Sequence, residues 1–171
     1  MPTQPNLVSA ARSGDADAFD ELIGAHLETG YRVALAILRN PDEARDALQD
    51  SAFKAWRRLG QLKDGGAARA WFLTIVANQC RSVRRGRWWS VVTLPSVDRS
   101  GRDFETASAQ STDLQRALAA LPAEDRLPLF LHFYLDLPLE EVGAVLGLSA
   151  AGAKTRVYRA ARKLRPGLEL D

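Results

Sequence analysis

"LEEVGAVLGLSAAGAKTRVYRAARKL", residues 139–164, reads as two short helices joined by a tight turn, the second of them strongly basic. Pro138 suits a first helical turn, Gly147 a left-handed helix end, and Ser149 a cap that accepts a backbone N–H of the next helix. At about 100° per residue, Ala153, Val157, Ala160 and Leu164 fall on one stripe, while Thr155, Tyr158, Arg159 and Arg162 point the other way. One face packs and the other is free to touch a ligand. Between Ser149 and Leu168 stand six Lys or Arg and no Asp or Glu, which suits a helix lying against phosphates. The alternative is an ordinary hairpin with a charged, solvated face. Such a face normally mixes signs to gain i,i+4 pairs, and this one does not. Small residues at its start, Ala150, Ala151 and Gly152, would let the helix end approach a DNA backbone.

Upstream, basic character recurs. A helix predicted from about Ala67 to Arg87 turns Phe72, Ile75, Val76, Cys80 and Val83 inward and sets Thr74, Asn78, Arg81 and Arg85 on the opposite face. From Gly65 to Val97 there are five Arg and no acid, whereas Pro41 to Asp50 carries four acids against one Arg. The formal net charge is only +2, so a polyanion partner must be argued from where the charge sits. The acidic segment belongs to a helix predicted over Pro41 to Leu59, with an inner stripe of Leu48, Ala52, Ala55 and Leu59. It puts Asp46, Gln49, Asp50 and Phe53 on a connected outer surface, either a solvated face or a dock for a basic protein partner.

The remaining elements are also helical. Asp17 to Thr29 aligns Phe19, Leu22, Ile23 and His26, and Tyr31 to Leu38 continues as an apolar helix ended by "RNP" at 39–41. "GQLKDGG", 60–66, breaks the chain; Asp113 to Leu121 and Glu124 to Leu135 give two further helices. Strand-like alternation occurs only in "WWSVVTL", 88–94, and "SVDRSGRDFETASAQST", 96–112, is poor in large apolar residues. The expectation is an all-α chain of two small helical domains, 1–90 and 112–171, joined by a flexible linker, 91–111, the C-terminal domain carrying the helix-turn-helix.

Composition narrows the function classes. A lone Cys80 and two histidines, His26 and His132, exclude a disulfide framework and an ordinary structural zinc site. All three lie in apolar helical patterns and read as core or boundary residues. No phosphate-cradling glycine loop, His–carboxylate metal pattern or Ser–His–Asp arrangement occurs, so neither catalysis nor a metal or cofactor is expected. The N-terminal stretch lacks the pattern of a signal peptide, and no run approaches the ~20 apolar residues of a membrane span. The expectation is a cytoplasmic chain without membrane insertion.

An acidic helix flanked by two basic readers resembles the extracytoplasmic-function (ECF) group of bacterial sigma-70 factors, the smallest promoter-recognition subunits of RNA polymerase. The likeness covers nearly the whole chain. Asp46, Gln49, Asp50 and Phe53, followed by Trp56, meet the family's acid-rich docking pattern. "WFLTIVAN", 71–78, is similar to its next helix, and "GAKTRVYRAARKL", 152–164, to its closing helix-turn-helix. Three motifs in the family's order and spacing carry the resemblance.

The resemblance implies core RNA polymerase and promoter DNA as partners, and an anti-sigma protein as the inhibitor of the free factor. It implies that Asp46, Gln49, Asp50 and Phe53 contact polymerase. Asn78, with the loop around Leu62 and Lys63, would accept a base flipped from the minus-ten element, and Arg81, Arg84 and Arg85 would hold the neighbouring backbone. Lys154, Thr155, Tyr158 and Arg159 would meet the minus-thirty-five element, with Arg156 on phosphate. Trp71 is present where relatives use adjacent aromatics in melting, while its neighbour Phe72 faces the core by helical angle. Two rival classes are a stand-alone regulator that binds duplex DNA through 112–171, and a helical interaction protein with no salt-dependent DNA affinity.

Overall fold

The computed structural model describes residues 4–93, 117, 118 and 120–164. Among these the regular elements are helical: α1 (Gln4–Arg12), α2 (Ala16–Leu38), α3 (Pro41–Arg57), α4 (Ala68–Thr93), α5 (Ala123–Leu129), α6 (Leu139–Leu146) and α7 (Ala150–Leu164). Two 3₁₀ turns, Leu59–Gln61 and Gly65–Ala67, link α3 to α4, and a π-helical turn, Phe130–Tyr134, follows α5. The chain divides into two compact units, Met1–Val83 and Arg84–Asp171.

In the first unit, capping explains where the helices begin and end. Asp15 accepts from the backbone N–H groups of Asp17 and Ala18 at the start of α2, both at 3.1 Å. Asn40 does the same for Asp42 and Glu43 at the start of α3, with Pro41 in the first turn, where its missing N–H costs nothing. Between these helices Arg39 adopts a left-handed conformation and donates its N–H to the Leu35 carbonyl at 2.9 Å. The two apolar stretches predicted around Gly30 are one continuous helix. Gly30 is buried, and a Cβ there would lie 3.0 Å from both Leu48 Cδ1 and Phe72 Cε1, so its missing side chain is what lets α3 and α4 close on α2.

The α3 stripe differs from the prediction. Its buried face is Ala44, Ala47, Ser51 and Ala55, while Leu48 and Ala52 are half-buried and Leu59 is buried in the following turn. Small residues win the inner face because the helix packs close to α2; the buried Ser51 hydroxyl is satisfied by the Ala47 carbonyl at 2.6 Å. Phe72, Leu73, Val76 and Cys80 of α4 complete the core with Ile23, Val33 and Ala34 of α2. Burying a Phe of this kind stabilises a fold by roughly 1.5–3 kcal/mol.

α4 runs through Thr93, so "WWSVVT" is helical and not strand-like, and residues 91–93 extend the helix where a linker was expected. Alternation in so short a run does not stop a helix already propagating, and no proline intervenes before Pro95. The rest of the linker and most of the helix expected over Asp113 to Leu121 lie outside the described residues; Ala117, Leu118 and Ala120 are helical.

The second unit holds the helix-turn-helix. Gly147 ends α6 at φ 71°, and its N–H and that of Leu148 turn back to the carbonyls of Ala144 and Gly143. Gly143 is required by space: a Cβ there would sit 2.6 Å from the Leu148 carbonyl oxygen. Ser149 Oγ accepts from the Gly152 N–H at 3.1 Å and starts α7. Ala153, Val157 and Ala160 are buried where α7 packs on α6 and α5, whose Val142, Val145, Leu127 and Leu129 are buried as well. The helix predicted from Glu124 to Leu135 is instead α5 followed by a wider turn, in which the Leu135 N–H reaches the Phe130 carbonyl five residues back at 3.0 Å. The widening keeps Leu131 and Leu137 buried while Phe133 and Tyr134 are exposed.

Candidate docking and nucleic-acid interfaces

α3 presents an acidic outer face. Asp46, Gln49, Asp50 and Phe53 are all exposed, Phe53 at 62%. Arg57 lies over the Phe53 ring at 5.8 Å, and Trp56 is held edge-on against Phe19 at 5.0 Å. Asp42 pairs with Arg45 at 2.9 Å, one turn N-terminal to this face.

Asp50 is tied to α4. Gln79 donates its amide Nε2–H to Asp50 at 2.9 Å, and its carbonyl Oε1 accepts from Lys54 Nζ. Gln79 is nearly buried, so both ends of its amide are satisfied by α3. The bridge sets the carboxylate on one helix beside the polar face of the next. On that face Asn78 is exposed and its Oδ1 accepts from Arg81 Nη1 at 2.7 Å, with Arg84 and Arg85 exposed beyond and Arg81 half-buried. The preceding loop exposes Lys63. Leu62 is 2% exposed, so its side chain is a core anchor, and its N–H donates to the Leu59 carbonyl at 3.1 Å.

Phe72 is fully buried and Trp71 half-buried. Cys80 is buried, and its thiol is pushed up to about 12, first by desolvation, with a smaller opposing pull from the Arg81 charge. It is a packing residue. His132 lies at the edge of the second core, its Nδ1 3.0 Å from the Leu137 carbonyl.

On α7, Lys154, Thr155, Tyr158, Arg159 and Arg162 are exposed and Arg156 is half-buried. The Thr155 hydroxyl donates to the Ala151 carbonyl at 3.1 Å, leaving its methyl group and oxygen lone pairs for an outside contact. Lys163 donates to the nearly buried Asp125 of α5 at 2.6 Å and fixes the far end of the helix. Sequence reasoning missed three elements here: the Gln79 bridge, the Lys163–Asp125 pair and the whole of α1. Gln79 and Lys163 sit at apolar–polar boundaries of their helices, which is the only signal the sequence held for them.

The described residues contain no group of three or more acidic, His or Cys side chains placed to hold a metal, and no helix among them is long and apolar enough to cross a membrane. Within the second unit, the second helix of the helix-turn-helix, α7, exposes Lys154, Arg159, Arg162 and Lys163 and carries no acidic residue.

Models of sigma-70 region 2 and sigma-70 region 4 match residues 22–90 and 111–164. The chain is 32% identical over 163 residues to the ECF RNA polymerase sigma factor SigM of Mycobacterium tuberculosis, covering 92% of this chain and 81% of that one. It is 28% identical to the RNA polymerase sigma factor SigV of Bacillus subtilis, over 82% of this chain and 84% of the relative. Among solved structures, the sigma factor RpoE in complex with the anti-sigma factor NepR from Bartonella quintana superposes with a TM-score of 0.69 at 25% identity, covering 90% of this chain and 98% of that one. CnrH in complex with the cytosolic domain of CnrY shares the fold, with a TM-score of 0.69, 24% identity and 96% of each chain covered. The chain belongs to the sigma-70 family of RNA polymerase sigma factors, in its ECF group. It is thus an alternative sigma factor, a transcription initiation factor and not an enzyme, which directs RNA polymerase to promoters.

Proposed function

We propose that residues 1–90 form the module that docks on core polymerase and reads the minus-ten element, that 112–171 read the minus-thirty-five element, and that 91–111 connect them. Asp46, Gln49, Asp50 and Phe53 make the polymerase contact. Asn78 and the loop at Leu62 and Lys63 receive a flipped base, with Arg81, Arg84 and Arg85 on the adjoining phosphates. Lys154, Thr155, Tyr158 and Arg159 enter the major groove, and Arg156 lies on phosphate. The factor assists strand opening by capturing the extruded base, which offsets the few kcal/mol of unstacking.

The observation that carries this reading is the Asp50–Gln79 hydrogen bond, because it joins the acidic face of α3 to the Asn78 face of α4 in one folded unit. A single helix-turn-helix makes few base contacts, each worth roughly 1–3 kcal/mol, so it needs a second attachment, which polymerase supplies by avidity. The factor acts in the cytoplasm, where polymerase is, and an anti-sigma protein binds and restrains it; the structurally similar RpoE is found in complex with the anti-sigma factor NepR. Asp50→Arg tests the docking face: the variant should keep its helical signal and lose co-purification with core polymerase. Normal co-purification would refute the assignment.

A further inference from the structure

The loop between α3 and α4 is held from two sides. From within, Leu59 and Leu62 are buried, and Asp64 caps the second 3₁₀ turn by accepting from the Gly66 N–H at 3.1 Å. From without, the holding group comes from a distant part of the chain. Arg12, the last residue of α1, donates Nε–H to the Leu59 carbonyl at 3.4 Å and Nη2–H to the carbonyls of Gly60, at 3.1 Å, and Leu62. These carbonyls lie just past the C-terminal end of α3, where the helical ladder has run out and a positive charge is favoured. One planar guanidinium thus bridges three main-chain acceptors across four residues, a geometry that its rigid fork of donors supports and an ammonium cannot reproduce. Lys63, an exposed and charged residue of this loop, follows directly on the last clamped carbonyl.

We infer that Arg12 is a positioning residue for minus-ten recognition: its guanidinium fixes the main-chain path that aims Lys63 at the captured base. The inference rests on the proposed role of this loop. It concerns a residue ahead of the segment matched by the region 2 model, which begins at residue 22. The physical expectation is a separation of effects. Loss of Arg12 leaves the apolar anchors Leu59 and Leu62 in place, so the unit stays folded, while the outer carbonyls pass to water and the loop gains freedom at the position that needs a fixed geometry. A base contact held in several loop conformations discriminates less well between bases, although the helix-turn-helix module, built from other residues, reads its element as before.

The test uses holoenzyme reconstituted from core polymerase and full-length Arg12→Met, Arg12→Lys, Lys63→Ala or Asn78→Ala chains, transcribing a promoter pool randomised at both elements. Arg12→Met should lower minus-ten base preference about fivefold or more, near the low end of what one base contact is worth, at positions that Lys63→Ala or Asn78→Ala also changes. Arg12→Lys should fall between wild type and Arg12→Met, and minus-thirty-five preference should not move. If Arg12→Met lowers output from all promoters in proportion, with minus-ten preference kept, Arg12 is a structural residue only and the inference is overturned. If Lys63→Ala and Asn78→Ala also leave that preference intact, the loop is not a reader, and the proposed function of the loop falls together with the inference. Should Arg12→Met not fold, Arg12→Lys decides: an altered minus-ten preference supports the clamp, and an unaltered one overturns it.

Discussion

Asn78 and Cys80 stand two residues apart on α4 and face opposite worlds. Asn78 is exposed with its carbonyl oxygen already accepting from Arg81, which orients the amide and leaves its N–H₂ group outward as a donor to a base edge. Asn78→Ala should therefore reduce promoter opening, read by permanganate reactivity, about tenfold, the order expected for one lost base contact, while closed-complex binding changes much less; equal losses in both assays would contradict a pocket role. Cys80 points into the core, and desolvation there raises its thiol to about 12 from an ordinary 9.0. Between those two values the unfolded chain has lost the thiol proton and the native chain still holds it. Native stability contributed by this group is therefore full below about pH 9 and declines as pH rises toward 12. Denaturant melts should show a steeper loss of stability above pH 9 in the wild type than in Cys80→Ala, and parallel curves would rule this out. At this scale the sequence was informative about side of helix and silent about partners. Helical angle separates Asn78 from Cys80, but nothing in the order of residues says that Gln79 between them reaches Asp50 and Lys54 on another helix.

The helix-turn-helix was legible because its determinants are local. Gly147 and Ser149 act within a few residues of themselves, and the Ala153–Val157–Ala160 stripe follows from the helical repeat. Gly143 belongs to the same element, yet its necessity arises from the approach of the Leu148 carbonyl, a contact created by the turn. Gly143→Ala should cost about 1–3 kcal/mol, the range for overpacking at a site that cannot relax, measured by thermal denaturation, and should weaken minus-thirty-five recognition; an unchanged melting temperature would show that the turn has slack. Other elements were misread for tertiary reasons. The α3 inner face is one of small residues because α2 comes close, which a search for large apolar positions does not detect. The π-helical turn depends on how Leu131 and Leu137 both reach the core, and an amphipathic count over 124–135 assumes an even helical pitch. α1 escaped notice because nine residues with four apolar positions, two of them Ala, carry too little periodicity to stand out.

For the whole chain, the division of charge is the property that links fold to function. A net charge of +2 conceals an acidic outer face on α3, a basic one on α4 and a uniformly basic one on α7. A stand-alone duplex binder would need only the last of these. The acidic face gains a purpose when polymerase is the partner, and the weak grip expected of one helix-turn-helix is then an advantage, since promoter selection by the free factor is avoided. The most direct test is in vitro transcription with purified core polymerase on a pool of randomised promoters. The chain should make core initiate selectively at sequences sharing a two-part motif, with neither component selective alone. Initiation no more selective than core by itself, or selection of the same motif by the chain on duplex DNA without polymerase, would contradict the account.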